Sequence, residues 1–271
     1  MKVPSVTTII PCYQHGHLVD NAIDAILSQS VRDLEVIVVD DGSTDATEPT
    51  VSRFLGDSRV RYIQRPHLGL ASARNHGMML ATGRYVQFLD ADDVIYPDKL
   101  ERQLSIMDDD STIEMSHTDF CCKRELTGEL SNKYASPVLS SEPFIDNLVL
   151  RWERGLSIPC HCFLFRRSVL RGFAFDTMMS NHEDWVFNCV LAAGGRESVY
   201  IPDELCEYRV FPKSMARDKA QMALGYAQAL SRIETLSETC RELVAQRKRI
   251  DRGAVGEDIH SHSDEKCWAP Y

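Results

Sequence analysis

Apolar runs alternate with an amphipathic stretch at the start of the chain. Residues 6–10 form an apolar, β-branched run that ends at Pro11, and residues 34–39 are almost wholly apolar, so both runs predict strands. Residues 18–29 lie between them, and their apolar positions recur at helical spacing. A strand buried on both faces is typical of a parallel sheet, so the three segments predict one right-handed βαβ unit.

The same alternation continues along the chain. Residues 60–64 predict a third strand, residues 70–81 a helix that ends at Gly83, and residues 85–89 a further strand. The predicted fold class is therefore α/β, with a mostly parallel sheet flanked by helices. Ligands of such a sheet are expected at its carboxyl edge.

The second half of the chain is less regular. Residues 113–120 predict a strand, residues 123–141 a polar loop or hairpin, and residues 144–154 a helix. Trp152, Pro159 and His161 could line a binding site here, although a role in the core or in loops is the favoured interpretation of these residues.

The last part of the chain predicts a helical appendage. Residues 219–250 are continuous helix formers with an apolar stripe near helical spacing. That stripe can pack on the preceding domain, which is the favoured interpretation, or pair with a second copy of the chain in a homodimer. It can also face a membrane beside Arg247-Lys248-Arg249. From residue 251 onward the chain lacks a core pattern, which predicts a flexible tail.

Three carboxylates lie within four residues in the segment Phe88-Leu89-Asp90-Ala91-Asp92-Asp93. Because alternate side chains of a strand share a face, we expect Asp90 and Asp92 to point in the same direction. Hard cations such as Mg²⁺ or Mn²⁺ take oxygen ligands and share ligand phosphates, so the segment predicts a metal-diphosphate site. Solvated loop acids are the alternative. An EF-hand loop is disfavoured, because Val94 and Ile95 stand where an oxygen ligand and a glycine belong.

Two loops at the same sheet edge carry residues that suit a nucleotide base. The second strand runs into Asp40-Asp41-Gly42-Ser43-Thr44-Asp45, in which Thr44 or Asp45 can cap a helix to about residue 55. Pro11-Cys12-Tyr13 is expected beside Asp41, where a tyrosine ring can stack on a base and a carboxylate can accept base N–H donors. Arg74 on the following helix is either solvated or the positive partner of a diphosphate.

Composition narrows the class of protein. Forty acidic against 30 basic residues give a formal net charge of -10, which argues against a nucleic-acid partner or a broad anionic-membrane surface. No apolar run approaches the roughly 18 residues of a transmembrane helix, and the amino terminus lacks a signal-peptide pattern. The sequence thus predicts a cytoplasmic protein without a transmembrane segment, with peripheral membrane attachment as the open alternative.

The cysteines predict reduced thiols. Their number, nine, is odd and they are scattered along the chain, which does not suit a disulfide framework. Cys160-His161-Cys162 lacks the usual spacing of zinc ligands, so packing in the core or lining of a pocket is favoured there.

Several segments, in a fixed order, carry a resemblance to a known family. The first four are Ile10-Pro11-Cys12-Tyr13, Val38-Val39-Asp40-Asp41-Gly42-Ser43-Thr44-Asp45, Ala73-Arg74-Asn75-His76-Gly77 and Phe88-Leu89-Asp90-Ala91-Asp92-Asp93. The later ones are Phe173-Ala174-Phe175-Asp176, His182-Glu183-Asp184-Trp185, Tyr200-Ile201-Pro202 and Glu207-Tyr208-Arg209. Together they resemble the motifs of family 2 glycosyltransferases with the A-type nucleotide-sugar fold, over roughly residues 4–216.

The resemblance implies inverting transfer of a sugar from a nucleotide donor, most often UDP-linked, to a hydroxyl or amine. The acceptor would be a carbohydrate, a lipid-linked molecule or a protein. The implied catalytic domain covers residues 1–216, with a donor half at 1–107 and an acceptor half at 108–216. A C-terminal helix at residues 217–250 and the tail at 251–271 follow it.

The resemblance also implies roles for particular residues. Pro11, Tyr13 and Asp41 would hold the base and ribose, and Arg74 would lie near the diphosphate. Asp90 and Asp92 would bind ribose and metal, and Asp92 would be the more direct ligand of Mn²⁺ or Mg²⁺. Asp184 would be the general base that accepts the proton of the acceptor.

Residue chemistry supports the role of Asp184 independently of the resemblance. Asp184 lies between Glu183 and Trp185, where partial burial can raise the pKa of its carboxyl group into a useful range. Its alternative role is to cap a helix over residues 185–193, and the two roles are compatible.

Two residues depart from the family pattern. Gln14 stands where many relatives have asparagine, and Phe211 stands where many carry a histidine that can approach the metal or diphosphate. Phenylalanine can neither ligate a metal nor donate to phosphate. A nucleotidyltransferase is the competing enzyme class, although no Gly-rich phosphate loop follows the first strand. A nucleotide-sugar-binding scaffold without turnover is the non-enzymatic alternative.

Overall fold

The computed structural model of the chain describes residues 3–124, 128–131, 136–211 and 218–254. Within these residues a single sheet is flanked by helices. Its strands are β1 Val6–Cys12, β2 Leu34–Asp40, β3 Val60–Gln64, β4 Tyr85–Phe88, β5 Val94–Ile95, β6 Met115–Arg124, β7 Glu129–Ser131, β8 Phe163–Arg166 and β9 Ser198–Val210. The α-helices are α1 Val19–Leu27, α2 Thr47–Ser52, α3 Leu70–Leu80, α4 Lys99–Asp109, α5 Phe144–Asp146, α6 Glu183–Ala193, α7 Lys219–Glu234 and α8 Glu238–Ala254.

The strand order explains where a ligand can lie. The order is β3-β2-β1-β4-β8-β6-β9-β5, with β7 paired to β6. Strands β3, β2, β1 and β4 are mutually parallel, whereas β8 runs antiparallel to both β4 and β6. The predicted α/β class is therefore confirmed, with a mixed second half. Because β2 and β4 flank β1 on opposite sides, the carboxyl ends of these three strands form a crevice of the kind that binds ligands in α/β sheets.

Strand β1 is longer than the sequence predicts. It continues through Pro11 to Cys12, and Pro11 pairs with Val39 of β2. The backbone N–H and C=O groups of successive residues in a strand point alternately towards its two neighbouring strands. The carbonyl of Cys12 points towards β2, because it accepts the backbone N–H of Asp41. The nitrogen of Pro11, which lacks a hydrogen, therefore faces β4. The ladder with β4 ends at Ile9, two residues before Pro11, so it does not need that N–H. The prediction that Pro11 ends the strand was wrong for this reason.

Helix α3 packs closely on β1 through Gly77. A Cβ atom at residue 77 would lie 2.3 Å from Cγ2 of Ile9, whose side chain is fully buried. We therefore expect Gly77→Ala to lower the free energy of unfolding by about 1–3 kcal/mol, despite the better helix propensity of alanine. Urea denaturation measures this change. Gly56→Ala is the control, because a Cβ there meets nothing within 4 Å; equal stability of the two variants would contradict the packing described here.

The predicted helix over residues 144–154 is confirmed only in part, because its α-helical part is short and the helical structure ends at Arg151. Helix α5 is a single turn that passes into a π-helical turn at Asn147–Arg151. At this transition the side chain of Asn147 bonds to backbone groups that precede the helix: it donates to Glu142 O at 2.8 Å and accepts from Ser140 N at 2.8 Å. Such bonds compete with regular helix.

The C-terminal segment forms two helices, where the sequence predicted one. Helix α7 ends at Glu234 and α8 begins at Glu238. Ser237 starts the second helix, because its hydroxyl accepts the backbone N–H of Cys240 at 3.0 Å. The apolar stripe packs within the chain, as favoured, and Met222, Ile233 and Cys240 are buried. The two helices are called the C-terminal hairpin below.

The basic cluster at the end of the hairpin is engaged within the chain. Arg247 is buried and donates to Val149 O and to Asp251, both at 2.9 Å, and Lys248 pairs with Glu234 at 2.8 Å. Helix α8 includes Asp251, so the predicted tail begins later than residue 251, and residues 255–271 lie outside the described part of the chain. Among the helices that are described, none is both long and apolar enough to cross a bilayer.

Candidate functional site

A cavity of about 680 Å³ opens at the crevice beyond the carboxyl ends of β1, β2 and β4. All the residues to which the sequence assigned a role line it: Pro11, Tyr13, Asp41, Arg74, Asp90, Asp92 and Asp184. Trp152, Pro159 and His161 line it as well. Residues separated by more than half the chain therefore share one site, because the loops that follow several strands meet at one sheet edge.

One end of the cavity carries an aromatic pair. Tyr13, 43% exposed, stacks on His67 with ring centroids 4.1 Å apart and planes 22° apart. Asp41 is buried, and its Oδ2 lies 2.8 Å from Nδ1 of His67. Its carboxylate accepts the backbone N–H of Gly69 at 2.7 Å and of Leu68 at 3.1 Å. Asp41 thus fixes the loop that carries His67, and an exposed aromatic face is left for a planar ligand.

The acidic segment is a turn, and this corrects the geometry predicted from the sequence. Strand β4 ends at Phe88, and the turn closes with a bond from Asp93 N to Asp90 O at 3.1 Å. Strand alternation therefore does not explain the directions of Asp90 and Asp92. Asp90 and Asp93 bond to different partners, although all three acids line the cavity.

Asp92 differs from the other two acids of this turn, because no side chain among the described residues donates a hydrogen bond to it. It is partly exposed. Burial and the neighbouring charges of Asp93 and Asp90 raise the pKa of its carboxyl group to about 8. A carboxylate crowded by two others needs a nearby positive charge to remain ionised.

Asp93, in contrast, is fully partnered. Its Oδ2 lies 2.9 Å from Nδ1 of His161, and its Oδ1 accepts the backbone N–H of Arg209 at 2.9 Å. Burial alone would lower the pKa of His161, but the charge of Asp93 raises it to about 9. The two bonds tie the acidic turn to His161 and to β9, and neither contact was predicted from the sequence.

Arg74 joins three parts of the site. This buried side chain donates from Nη2 to Asp90 at 2.7 Å and from Nη1 to Glu183 at 2.5 Å, and it lies 5.3 Å over the ring of Phe175. The adjacent Asn75 bonds both backbone groups of Phe175, at 2.8 and 2.9 Å. Arg74 is therefore held by carboxylates of the chain itself, beside the expected position of a diphosphate.

Asp184 is the second residue of α6. His182 occupies the cap position, so the predicted start at residue 185 was late and Asp184 is not the cap. Its Oδ1 accepts the backbone N–H of Trp185 at 2.8 Å. Burial raises the pKa of the Asp184 carboxyl group, against the opposing effects of Arg74 and His182. A raised pKa suits a group that must take up a proton.

A thiol cluster lies behind the cavity. The ligand atoms of His161, Cys162 and Cys206 lie within 4.8 Å of one another, and all three residues are buried. Burial raises the pKa of Cys206, but a bond with Cys162 and the charges of Lys99 and His161 lower it to about 6. Because two cationic side chains already face these thiols, a further cation is disfavoured there.

Comparison with known proteins gives a consistent result. The sequence model described as Glycosyl transferase family 2 matches residues 7–173. An uncharacterized glycosyltransferase of Haemophilus influenzae is 32% identical over 191 residues, which are 69% of this chain and 71% of that protein. The chain spans 19% of the length of the first curated relatives that it matches, glycosyltransferases of Rickettsia.

Two solved structures share the fold. S. aureus TarS 1-349 in complex with UDP-GlcNAc has a TM-score of 0.70 and 17% identity, over 93% of this chain and 73% of the other. A mannosyltransferase of Pyrobaculum calidifontis, in complex with GDP-Man and Mn²⁺, has a TM-score of 0.63 and 21% identity, over 95% and 77%.

Proposed function

The chain belongs to glycosyl transferase family 2, and on that premise we propose that it is an inverting, metal-assisted glycosyltransferase with a nucleotide-diphosphate sugar, preferably UDP-linked, as donor. The single observation that carries this proposal is the convergence on one cavity of an aromatic face, an acidic turn and a carboxylate of raised pKa. These are the groups that base stacking, metal binding and proton uptake require.

The donor base would lie against Tyr13, between Pro11 and the loop fixed by Asp41. The exposed ring of Tyr13 and its stacking on His67 support this position. The complexes of TarS with UDP-GlcNAc and of the mannosyltransferase with GDP-Man support a nucleotide sugar in this fold. The diphosphate would then extend towards Arg74 and the acidic turn.

The acidic turn fits a hard divalent cation. Asp92 offers carboxylate oxygens without a side-chain donor from the described residues, and Asp90 stands beside it, held by Arg74. These two residues would hold Mn²⁺ or Mg²⁺, as oxygen ligands suit both ions. When bound, the ion would neutralise charge on the departing diphosphate.

The remaining requirements of the transfer step would be met by residues of the chain. The acceptor oxygen would attack the anomeric carbon from the face opposite the diphosphate, while the bond from that carbon to the diphosphate oxygen breaks. The configuration at the anomeric carbon inverts, and the nucleoside diphosphate leaves with the bonding electrons. Asp184 would receive the proton of the acceptor, and Glu183 and Arg74 would hold the start of α6 in place.

The metal assignment makes a direct prediction for Asp92. We expect Asp92→Ala to weaken Mn²⁺-dependent UDP binding by about tenfold or more, because its charge faces the metal while the aromatic end of the cavity is unchanged. Isothermal titration calorimetry with and without Mn²⁺ measures this effect. Asp24→Ala, an exposed position on α1, is the matched control. Undiminished Mn²⁺-dependent binding by Asp92→Ala would remove Asp92 from the metal site.

A further inference from the structure

The C-terminal hairpin reaches the cavity. Met222 of α7 is buried and lines the cavity together with Glu153 and His182. The carboxylate of Asp184, the second residue of α6, lines the cavity as well. Among the described residues, Met222, Glu153 and Asp184 bring apolar surface and two carboxylates to the cavity wall, which suits an uncharged, hydroxyl-bearing acceptor better than an anionic one.

Helix α7 approaches the site closely at Gly225. A Cβ atom at Gly225 would lie 1.5 Å from Oδ1 of Asn181, so only glycine allows the two segments to approach this closely. The amide of Asn181, 4% exposed, donates to Gln221 O of α7 at 3.1 Å. This bond fixes which way the amide points, and its oxygen then faces His182.

Asn181 in turn holds His182. Nδ1 of His182 lies 2.6 Å from Oδ1 of Asn181, and Nε2 lies 3.0 Å from Oε1 of Glu153. The imidazole ring is therefore held by both of its nitrogens, between the amide oxygen of Asn181 and the carboxylate of Glu153. The interaction with His182 also lowers the pKa of Asp184, two residues on.

The backbone at both ends of this chain of bonds is unusual. His182 has φ 57° and Glu153 has φ 56°, so two residues with side chains adopt the left-handed conformation. Such a conformation is unfavourable for a residue with a side chain and persists only where its surroundings enforce it. The bonds from Asn181 and between the two side chains are among the contacts that hold this geometry.

We propose that Gln221 and Gly225 of helix α7, acting through Asn181, are positioning residues of the acceptor subsite, and that the C-terminal hairpin is thus part of the catalytic apparatus. The proposal rests on the function proposed above. Asn181, His182 and Glu153 set the wall on which the acceptor lies and the start of α6 that presents Asp184. None of the three needs to contact the donor.

The test compares Gly225→Ala, Asn181→Ala and the double variant with the wild type, and Gly56→Ala serves as the matched control. The probes are UDP for binding, UDP-sugars as donors, and neutral methyl glycosides as acceptors. We expect UDP affinity to stay within about twofold and the acceptor KM to rise about tenfold in both single variants, because small displacements of positioning groups are costly. The double variant should not recover, since removing the clash also removes the bond to His182.

Amide hydrogen exchange provides a second readout that needs no turnover. We expect residues 176–184 to exchange faster in Gly225→Ala and Asn181→Ala than in Gly56→Ala, because the local bonds are lost. An unchanged acceptor KM together with unchanged exchange would overturn the proposal. Recovery of the wild-type acceptor KM in the double variant would also overturn it, because the contact between Gly225 and Asn181 would then matter only for packing. A wild type that binds no nucleotide would refute the proposed function instead, while the exchange data still decide the positioning role.

Discussion

Replacement of Asp184 by asparagine is expected to reduce glycosyl transfer by about 10³-fold, within the range that general acid–base groups contribute. Asparagine keeps the shape of the side chain and can still accept the N–H of Trp185. It cannot take up the acceptor proton. UDP binding should persist, because the aromatic end of the cavity and the acidic turn are untouched.

Initial rates with a UDP-sugar donor and parallel UDP titrations measure the two effects. Asp203→Asn is the control, because Asp203 pairs with Arg102 on an exposed surface. In the wild type, activity should fall as the pH is lowered through the raised pKa of Asp184, since the protonated carboxyl group is not a base. Transfer by Asp184→Asn at the wild-type rate would show that another group is the base.

Replacement of Arg74 by methionine is expected to cause the largest loss of stability. The change leaves Glu183 buried without its cation and releases Asp90, and breaking a buried ion pair from one side costs about 3–5 kcal/mol. Urea or thermal denaturation measures the loss. Adding Glu183→Gln to Arg74→Met should recover part of it, because the second change removes the unpaired charge.

Arg102→Met is the matched control for Arg74→Met. Arg102 pairs with Asp203 at 2.8 Å, but both side chains are largely exposed, and such pairs contribute only about 0–1 kcal/mol. Similar losses in the two variants would mean that the ion pairs of Arg74 do not support the fold. A stable Arg74→Met protein that also binds UDP normally would contradict its central place in the site.

The elements that local pattern specifies were predictable. Residues 60–64 and 70–81 were predicted as strand and helix, and the structure has β3 at Val60–Gln64 and α3 at Leu70–Leu80. Errors arose where a side chain competes with regular structure. Asn147, which bonds to preceding backbone groups, lies where the α-helix passes into a π-helical turn, and Ser237 starts a new helix inside a continuous run of helix formers.

The partners of the site residues could not be predicted, because they depend on contacts distant in sequence. Glu183 follows Arg74 by 109 residues, and nothing local indicates that the two meet. The His161 to Asp93 pair and the contact of Gly225 with Asn181 are of the same kind. The order of motifs indicated which residues share a cavity, whereas only the fold shows which of them hold one another.

Titration of nucleoside diphosphates into the intact protein tests the central claim most directly. UDP, GDP, dTDP and ADP would each be titrated by calorimetry, first with Mn²⁺ and then with EDTA. We predict that UDP binds when Mn²⁺ is present and that EDTA abolishes or strongly weakens this binding. If none of the four binds with Mn²⁺ present, the cavity is not a nucleotide-sugar site, and the glycosyltransferase function proposed here is wrong.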